Sequence, residues 1–334
     1  MPAPTIRSVA KRAGVSTATV SRALANPESV RPETREKVIE AVEALKFVPN
    51  AQAVHFRQKA TRTVILLIRD ISNPFYLDIY KGVEEAAFAA GYQVLMGDGR
   101  NDEARMAHYV DMVRKRQADG LILMTGWMPA KLIASRGALP PMVIALEFIP
   151  GIELPMVRID NEGAARLGVE HLLSLGHRRI VHLTGPVPEL MSVKRHAGYE
   201  AALRAAGIPL DPALVVRGDF HLDSGAAAAN ALLDAGVDFT AIFASGDEMA
   251  VGAITALRAR GKRVPEDISV VGFDDIVFAR AVDPPLTTVR QDRREIGAEA
   301  MRLMIGILSG KALHPDEVCV PVELVVRGTT ARIS

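Results

Sequence analysis

One cysteine, one tryptophan and an aromatic content of only 5% are notable shortages in a chain of 334 residues. The single thiol, Cys319, excludes an internal disulfide, and without cysteines His171 and His177 have no third ligand at metal spacing, so no metal site is expected. Cys319 lies in the apolar run VCVPVELVV, which predicts one continuous strand and a buried structural thiol. No stretch approaches the length of a membrane span, and the opening MPAPTIRS lacks the apolar segment of a signal peptide, so the expectation is a soluble cytoplasmic protein with no membrane role. Phosphate-binding loops and serine elbows are missing too. GDGRND keeps only part of a dinucleotide-binding glycine pattern, and no nucleophile–base pair is supported by spacing, so neither a catalytic residue nor a cofactor is expected.

What is present is a globular composition, 49% hydrophobic and 24% charged, long enough for two or three domains. The formal net charge of +1 hides an asymmetry: residues 1–60 carry ten Lys or Arg against five Asp or Glu, whereas residues 61–334 carry 30 against 34. A small basic head on a mildly acidic body is what phosphate attraction confined to one domain predicts.

Within that head, Ile6, Val9, Ala10 and Ala13 keep helical spacing, Gly14 breaks it, and a second helical pattern begins after Ser16. Thr5 and Ser16 stand at N-cap positions. The second helix buries Val20 with Ala23 or Leu24, leaving Thr17, Ala18, Ser21 and Arg22 outward. Such a surface suits a DNA major groove entered N-terminus first, with Thr17, Ala18 and Arg22 near base edges and Ser16, Thr19 and Ser21 near phosphates. On geometry alone a surface helical hairpin fits as well. A third helix follows, with Val38, Ile39, Val42 and Leu45 as its apolar stripe. The stretch PNAQAVHFRQKATRT then reads as a cationic linker.

The wording IRSVAKRAGVSTATVSRALAN resembles the DNA-binding headpiece of the LacI/GalR family of bacterial regulators, which typically reads close to I.DVA..AGVS..TVSR.LN. The resemblance implies a headpiece over residues 1–60, with Thr5 among its DNA contacts, and a hinge helix over about residues 50–58 that orders on operator DNA and wedges an apolar side chain into the minor groove. Family members usually carry leucine in a phrase like NA.ARSL. Here NAQAVHF puts Phe56 at the wedge, after His55, with Asn50 at the hinge start.

From Thr63 onward short apolar runs alternate with helical patterns, VILLIR, YQVLMG, DGLILM and PMVIAL first, and after VRIDN the rhythm restarts through RIVHLTG, VVRGDF, AIFAS and ISVVGFD. Uninterrupted apolar strands between helices indicate α/β architecture with parallel, doubly wound sheets. The fold expected is a three-helix helix-turn-helix headpiece followed by two such lobes of periplasmic-binding-protein type. The body, residues 61–334, is expected to bind an effector and to dimerise, with lobe 1 over about 61–160 plus 291–318 and lobe 2 over about 161–290 plus 319–334.

Ligands of doubly wound sheets sit beyond the carboxyl ends of the strands. The strand-exit loops hold Asn73, Phe75, Tyr76, Glu147, Asp160, Met191, Arg195, Phe220, Asp247 and Asp274, which form the candidate effector set. Asp274 can accept two hydroxyl hydrogen bonds from a ribose or hexose, or can cap the next helix. Arg195 is a fork of donors suited to vicinal hydroxyls, or a surface ion pair. Phe75 and Phe220 can sandwich a base or sugar ring, or pack in the core; Asp160 faces ligand or belongs to a lobe crossover.

The family resemblance implies that Asp274 and Arg195 touch the effector. The phrases EFIP, ELP, RGDF and DPPLTTV resemble the cytidine-responsive branch of the family and imply a nucleoside effector, cytidine first and adenosine second. Glu189 and Met191 replace the arginine and threonine of purine-responsive members, which makes a purine base less fitting. The function expected is a homodimeric repressor of a near-palindromic operator, not an enzyme; a sugar-responsive member of the family is the nearest alternative, and a ligand-binding protein with no DNA role is a remote one.

Overall fold

The computed structural model describes residues 4–48, 60–134, 139–146, 148–311 and 316–333. It divides into two compact units, Met1–Arg62 and Thr63–Ser334. Asn50, His55, Phe56 and Glu147 lie outside the described residues.

The first unit holds helices α1 (Ile6–Ala13), α2 (Thr17–Ala25) and α3 (Pro32–Leu45). Thr5 and Ser8 form a reciprocal capping box at the start of α1, and Gly14 closes that helix at φ 66°, a left-handed conformation that costs glycine nothing. The Ser16 hydroxyl accepts from the Thr19 N–H at 3.1 Å and starts α2. Val9, Ala10, Val20, Ala23, Val38 and Ala41 make the buried centre of the three-helix core. The α3 stripe differs from the expected one. It runs through Val38, Ala41, Val42 and Leu45, at i, i+3, i+4 and i+7, and Ile39, one residue out of phase, is 45% exposed.

The second unit is built on two six-stranded sheets. Lobe 1 has strands β1 (Thr63–Ile68), β2 (Gln93–Asp98), β3 (Gly120–Leu123), β4 (Met142–Leu146), β5 (Met156–Arg158) and β11 (Glu317–Cys319), in the order β11-β5-β4-β3-β1-β2. Lobe 2 has β6 (Ile180–Thr184), β7 (Val215–Arg217), β8 (Ala241–Ala244), β9 (Ser269–Asp274), β10 (Thr287–Gln291) and β12 (Val322–Val325), in the order β12-β10-β9-β8-β6-β7. Among the described residues all strand pairings are parallel except β10 with β12, which is antiparallel. Helices cover the sheets: α4 (Phe75–Ala89), α5 (Glu103–Arg114) and the short α6 (Ala130–Ala134) in lobe 1; α7 (Asn161–Ser174), α8 (Leu190–Ala205), α9 (Leu222–Asp234), α10 (Asp247–Ala259) and the short α11 (Val277–Ala281) in lobe 2. The last helix, α12 (Arg293–Leu308), returns to lobe 1 and packs on α4, β3 and β4. Because both faces are covered, residues 64–68 and the whole of β4, β6, β8 and β9 are buried, which is why they read as unbroken apolar runs.

The run expected as one strand, VCVPVELVV, is two. Pro321 has no N–H for a ladder, and the chain crosses there from the edge of the first sheet to the edge of the second. Cys319 is therefore exposed, on an edge strand of alternating burial, and not the buried thiol expected. The chain passes between the lobes after β5, after β10 and after β11. His171 and His177 clamp the C-terminal segment: the His171 ring pairs with the Thr330 hydroxyl at 2.9 Å, and His177 Nε2 donates to the Ala331 carbonyl at 3.1 Å.

Helix pairs cross closely at glycines. A Cβ on Gly252 of α10 would stand 1.9 Å from the Leu222 carbonyl oxygen of α9, and one on Gly82 of α4 equally close to the Arg294 carbonyl of α12.

Candidate functional site

In the headpiece, Thr17, Ala18 and Arg22 of α2 are exposed while Thr19 and Ser21 are half-buried. Ser16 and Thr19 hydroxyls lie 2.9 Å apart. Thr5 takes the Ser8 N–H at 3.3 Å, so the hydroxyls of Thr5 and Ser16 are both engaged in capping. The helix thus offers a flat surface of small side chains with Arg22 as its one long cation.

In the body, the ends of β1, β6, β7, β8 and β9 feed a small cavity of about 30 Å³ between the lobes. Lobe 1 contributes Arg69, Asn73, Phe75 and Tyr76; lobe 2 contributes Met191, Arg195, Phe220, Gly246, Asp247, Glu248, Asp274 and Ile276. Eight of the ten candidate effector residues meet here: Asn73, Phe75, Tyr76, Met191, Arg195, Phe220, Asp247 and Asp274. The volume holds one or two waters, far below the several hundred Å³ of a typical ligand pocket, so a ligand enters only if the lobes part. Two pairs join the lobes beside it: Arg69 with Glu189, and His221 Nε2 with Asp70 at 3.3 Å. The recess around them is about 610 Å³ and shares Arg69, Asn73, Tyr76 and Phe220 with the inner cavity.

Asp274 ends β9 at φ 111° and Phe220 follows β7 at φ 72°, two non-glycine residues held in left-handed backbone at the cleft. Such strain persists only where the surroundings over-determine it, and it commonly marks ligand sites. Asp274 is not a helix cap. Its Oδ1 accepts from Gln291 Nε2 at 2.6 Å and lies 3.8 Å from the Arg195 guanidinium. Burial pushes its pKa up to about 6, against the opposing pull of Arg195, Arg293 and Gln291. Arg195 is no surface ion pair either: it is 3% exposed, donates to Asn161 Oδ1 at 2.9 Å and to the Ser245 carbonyl, and stacks 3.6 Å above the Phe273 ring. Phe75 and Phe220 belong to the lobe cores and also present surface to the cavity.

Asp247 is wholly buried, with Oδ2 accepting from the Ile276 N–H at 2.8 Å and Oδ1 from the Thr288 hydroxyl at 2.6 Å. Burial and the neighbouring Asp274 push its pKa well up. Its oxygens are committed to tying α10 to β10 and to the loop after β9, so it supports the wall. Asp160 is exposed, caps α7 through the Gly163 N–H at 3.0 Å, and lines a separate recess of about 1030 Å³ with Phe148, Asn161 and Lys194 instead of the inner cavity. Met191 borders both. Arg69, Gly246, Glu248 and Ile276 were not among the expected residues, although all four sit at strand exits like the others.

A helix-turn-helix unit ahead of a two-lobed α/β body defines the class: a DNA-binding regulator on a periplasmic-binding-protein-like frame. The comparisons agree. Residues 5–50 match the model of bacterial regulatory proteins of the lacI family, and residues 169–330 match a periplasmic binding protein-like domain. The chain is 40% identical to the HTH-type transcriptional repressor CytR of Escherichia coli (strain K12) over 329 residues, 98% of this chain and 96% of that one. It is 36% identical to the transcriptional regulator CelR of Thermobifida fusca over 334 residues, 97% of each chain. Among solved structures, the lac repressor dimer bound to operator and the anti-inducer ONPF superposes with a TM-score of 0.87 at 30% identity, covering 98% of this chain and 99% of that one. A CelR–cellobiose complex matches at 0.74 and 35% identity, with coverage of 98% and 99%. The chain belongs to the LacI family; it is a DNA-binding transcriptional repressor and not an enzyme.

Proposed function

We propose that a nucleoside, cytidine before adenosine, enters between the lobes and sets the affinity of a homodimer for a near-palindromic operator in the cytoplasm. The observation that carries the effector reading is the composition of the inner cavity: Phe75 and Phe220 from opposite lobes, with Asp274 and Arg195 on the lobe 2 side. Two aromatic faces suit a flat base, and a carboxylate beside a guanidinium suits a ribose diol. A free base would leave the diol-binding groups unpaired, at roughly 1–3 kcal/mol for each buried group.

Dimerisation is supported by large apolar side chains left in solvent, among them Leu77 and Phe88 of α4 and Leu95 of β2, and by the dimeric lac repressor structure. DNA reading is assigned to Thr17, Ala18 and Arg22 for bases and to Thr5, Ser16, Thr19 and Ser21 for phosphates, with Asn50, His55 and Phe56 completing it from the hinge. On the effector side Asn73, Tyr76, Met191 and Glu147 complete the set, while Asp160, which caps α7 beside a separate recess, is left out of it.

Calorimetry on the full chain with cytidine, cytosine and ribose tests the effector: the nucleoside should bind more tightly than either part. Asp274→Ala should weaken the nucleoside more than the base, and Phe220→Ala should weaken both. A sugar effector is the second reading, favoured by the CelR–cellobiose complex. Heat from a sugar and none from nucleosides would establish it in place of the first.

A further inference from the structure

Glu248 Oε1 is a buried side-chain oxygen with no hydrogen-bond partner among the described residues, and its residue lines the inner cavity. The other oxygen has a polar neighbour: Oε2 lies 3.7 Å from His221 Nδ1. Glu248 is the second residue of α10, directly after Asp247, whose oxygens are both used by protein groups. Arg195 spends Nε on Asn161 and a terminal nitrogen on Ser245, and Arg69 pairs with Glu189. A residue of the cavity wall thus carries an acceptor in need of a donor, and an acceptor removed from water without a partner is unfavourable until a ligand N–H or O–H reaches it.

The apolar walls do not choose among bases. Phe75, Phe220 and Ile276 offer apolar surface, which every base accepts equally. We infer that Glu248 Oε1 receives the exocyclic amino group of the effector base, so that the site takes amino-bearing nucleosides and refuses their oxo counterparts. The inference rests on the nucleoside reading above. An amino group at that edge donates to the carboxylate. A carbonyl there would set two acceptors face to face with no proton between them, in a space from which water is largely excluded, and polar sites reject such mismatched ligands strongly.

Calorimetry of the full-length protein with two matched pairs, cytidine against uridine and adenosine against inosine, provides the test, run on the wild type and on Glu248→Gln. In the wild type each amino nucleoside should bind at least about tenfold more tightly than its oxo partner. The amide of Glu248→Gln can turn either its oxygen or its NH2 to the ligand, so both ratios should fall toward one. Equal binding within a pair by the wild type overturns the inference by itself, whether or not the variant folds. So does discrimination that survives in a folded Glu248→Gln protein, and in both cases the nucleoside reading stands. Absence of heat from all four nucleosides removes the nucleoside reading, and the inference falls with it.

Discussion

Nε2 of His221 stands 3.3 Å from Oδ2 of Asp70, and this pair joins lobe 2 to lobe 1 at the mouth of the cleft. Asp70 follows β1 and His221 precedes α9, so each is fixed to a sheet that must move if the lobes separate. Burial raises the pKa of Asp70, but the hydrogen bonds of Ser72 and the charges of His221 and Arg69 outweigh it and leave it lowered.

Loosening this closure should speed ligand exchange. Each partner is more than a third exposed, so the Asp70–His221 pair contributes at most about 1 kcal/mol, and Asp70→Asn should raise the release rate by no more than about fivefold. Glu189→Gln, which breaks the better-buried pair with Arg69, should raise it further. Stopped-flow fluorescence of ligand release measures both. Unchanged rates in the two variants would mean that the pairs do not hold the cleft shut.

Arg22 is the exposed long cation of α2. A bidentate contact to guanine is worth about 1–3 kcal/mol of discrimination, so Arg22→Ala should lose that much preference for operator over scrambled DNA while the protein stays folded. Fluorescence anisotropy at fixed salt reads the ratio, and an unaltered ratio would take Arg22 out of base recognition.

Asp274 makes stability and binding oppose each other with pH. Its pKa in the folded protein, about 6, exceeds the ordinary 3.8 because burial penalises the charge. A raised pKa contributes stability that is full below 3.8 and is lost as pH rises through about 6. The melting temperature of the wild type should thus fall relative to Asp274→Asn across that window. Ribose affinity should rise across it, as the carboxylate becomes able to accept two hydroxyls. Parallel pH profiles of the two proteins would show that Asp274 does not titrate there.

Gly252 is expected to be intolerant of a side chain. The Leu222 carbonyl stands 1.9 Å from where its Cβ would be, and backbone cannot turn aside as a side chain can. Gly252→Ala should force α9 and α10 apart at a cost of about 1–3 kcal/mol or more, seen as a lower denaturant midpoint. An unchanged midpoint would show that the helices slide without cost.

The helix-turn-helix was legible because its signals are local: Thr5 and Ser16 cap neighbours three residues away, and Gly14 turns the chain where it stands. The cleft was legible by rule, since Phe75, Arg195, Phe220 and Asp274 all follow strands whose carboxyl ends converge. What stayed hidden depends on pairing between distant segments. Nothing near Asp247 announces that Ile276 and Thr288 consume its oxygens, or near Glu248 that one oxygen is left over. Pro321 did carry a local signal against a single strand, and the exposure of Cys319 follows from it. Ile39 shows the limit of an apolar stripe: four apolar residues fit one face loosely, and Ala41, less conspicuous, fits it better.

The three crossings between lobes fix the order in which the molecule can be finished during synthesis. The centre of the headpiece core is complete once Ala41 has emerged, and that domain can fold first. Lobe 1 has five of its six strands by Arg158 but waits for α12 until Leu308 and for β11 until Cys319; lobe 2 waits for β12 until Val325. The two lobes thus reach completion within a few residues of each other. A nascent chain halted before Arg293 would carry a finished DNA reader ahead of a body in which neither sheet has its closing edge strand.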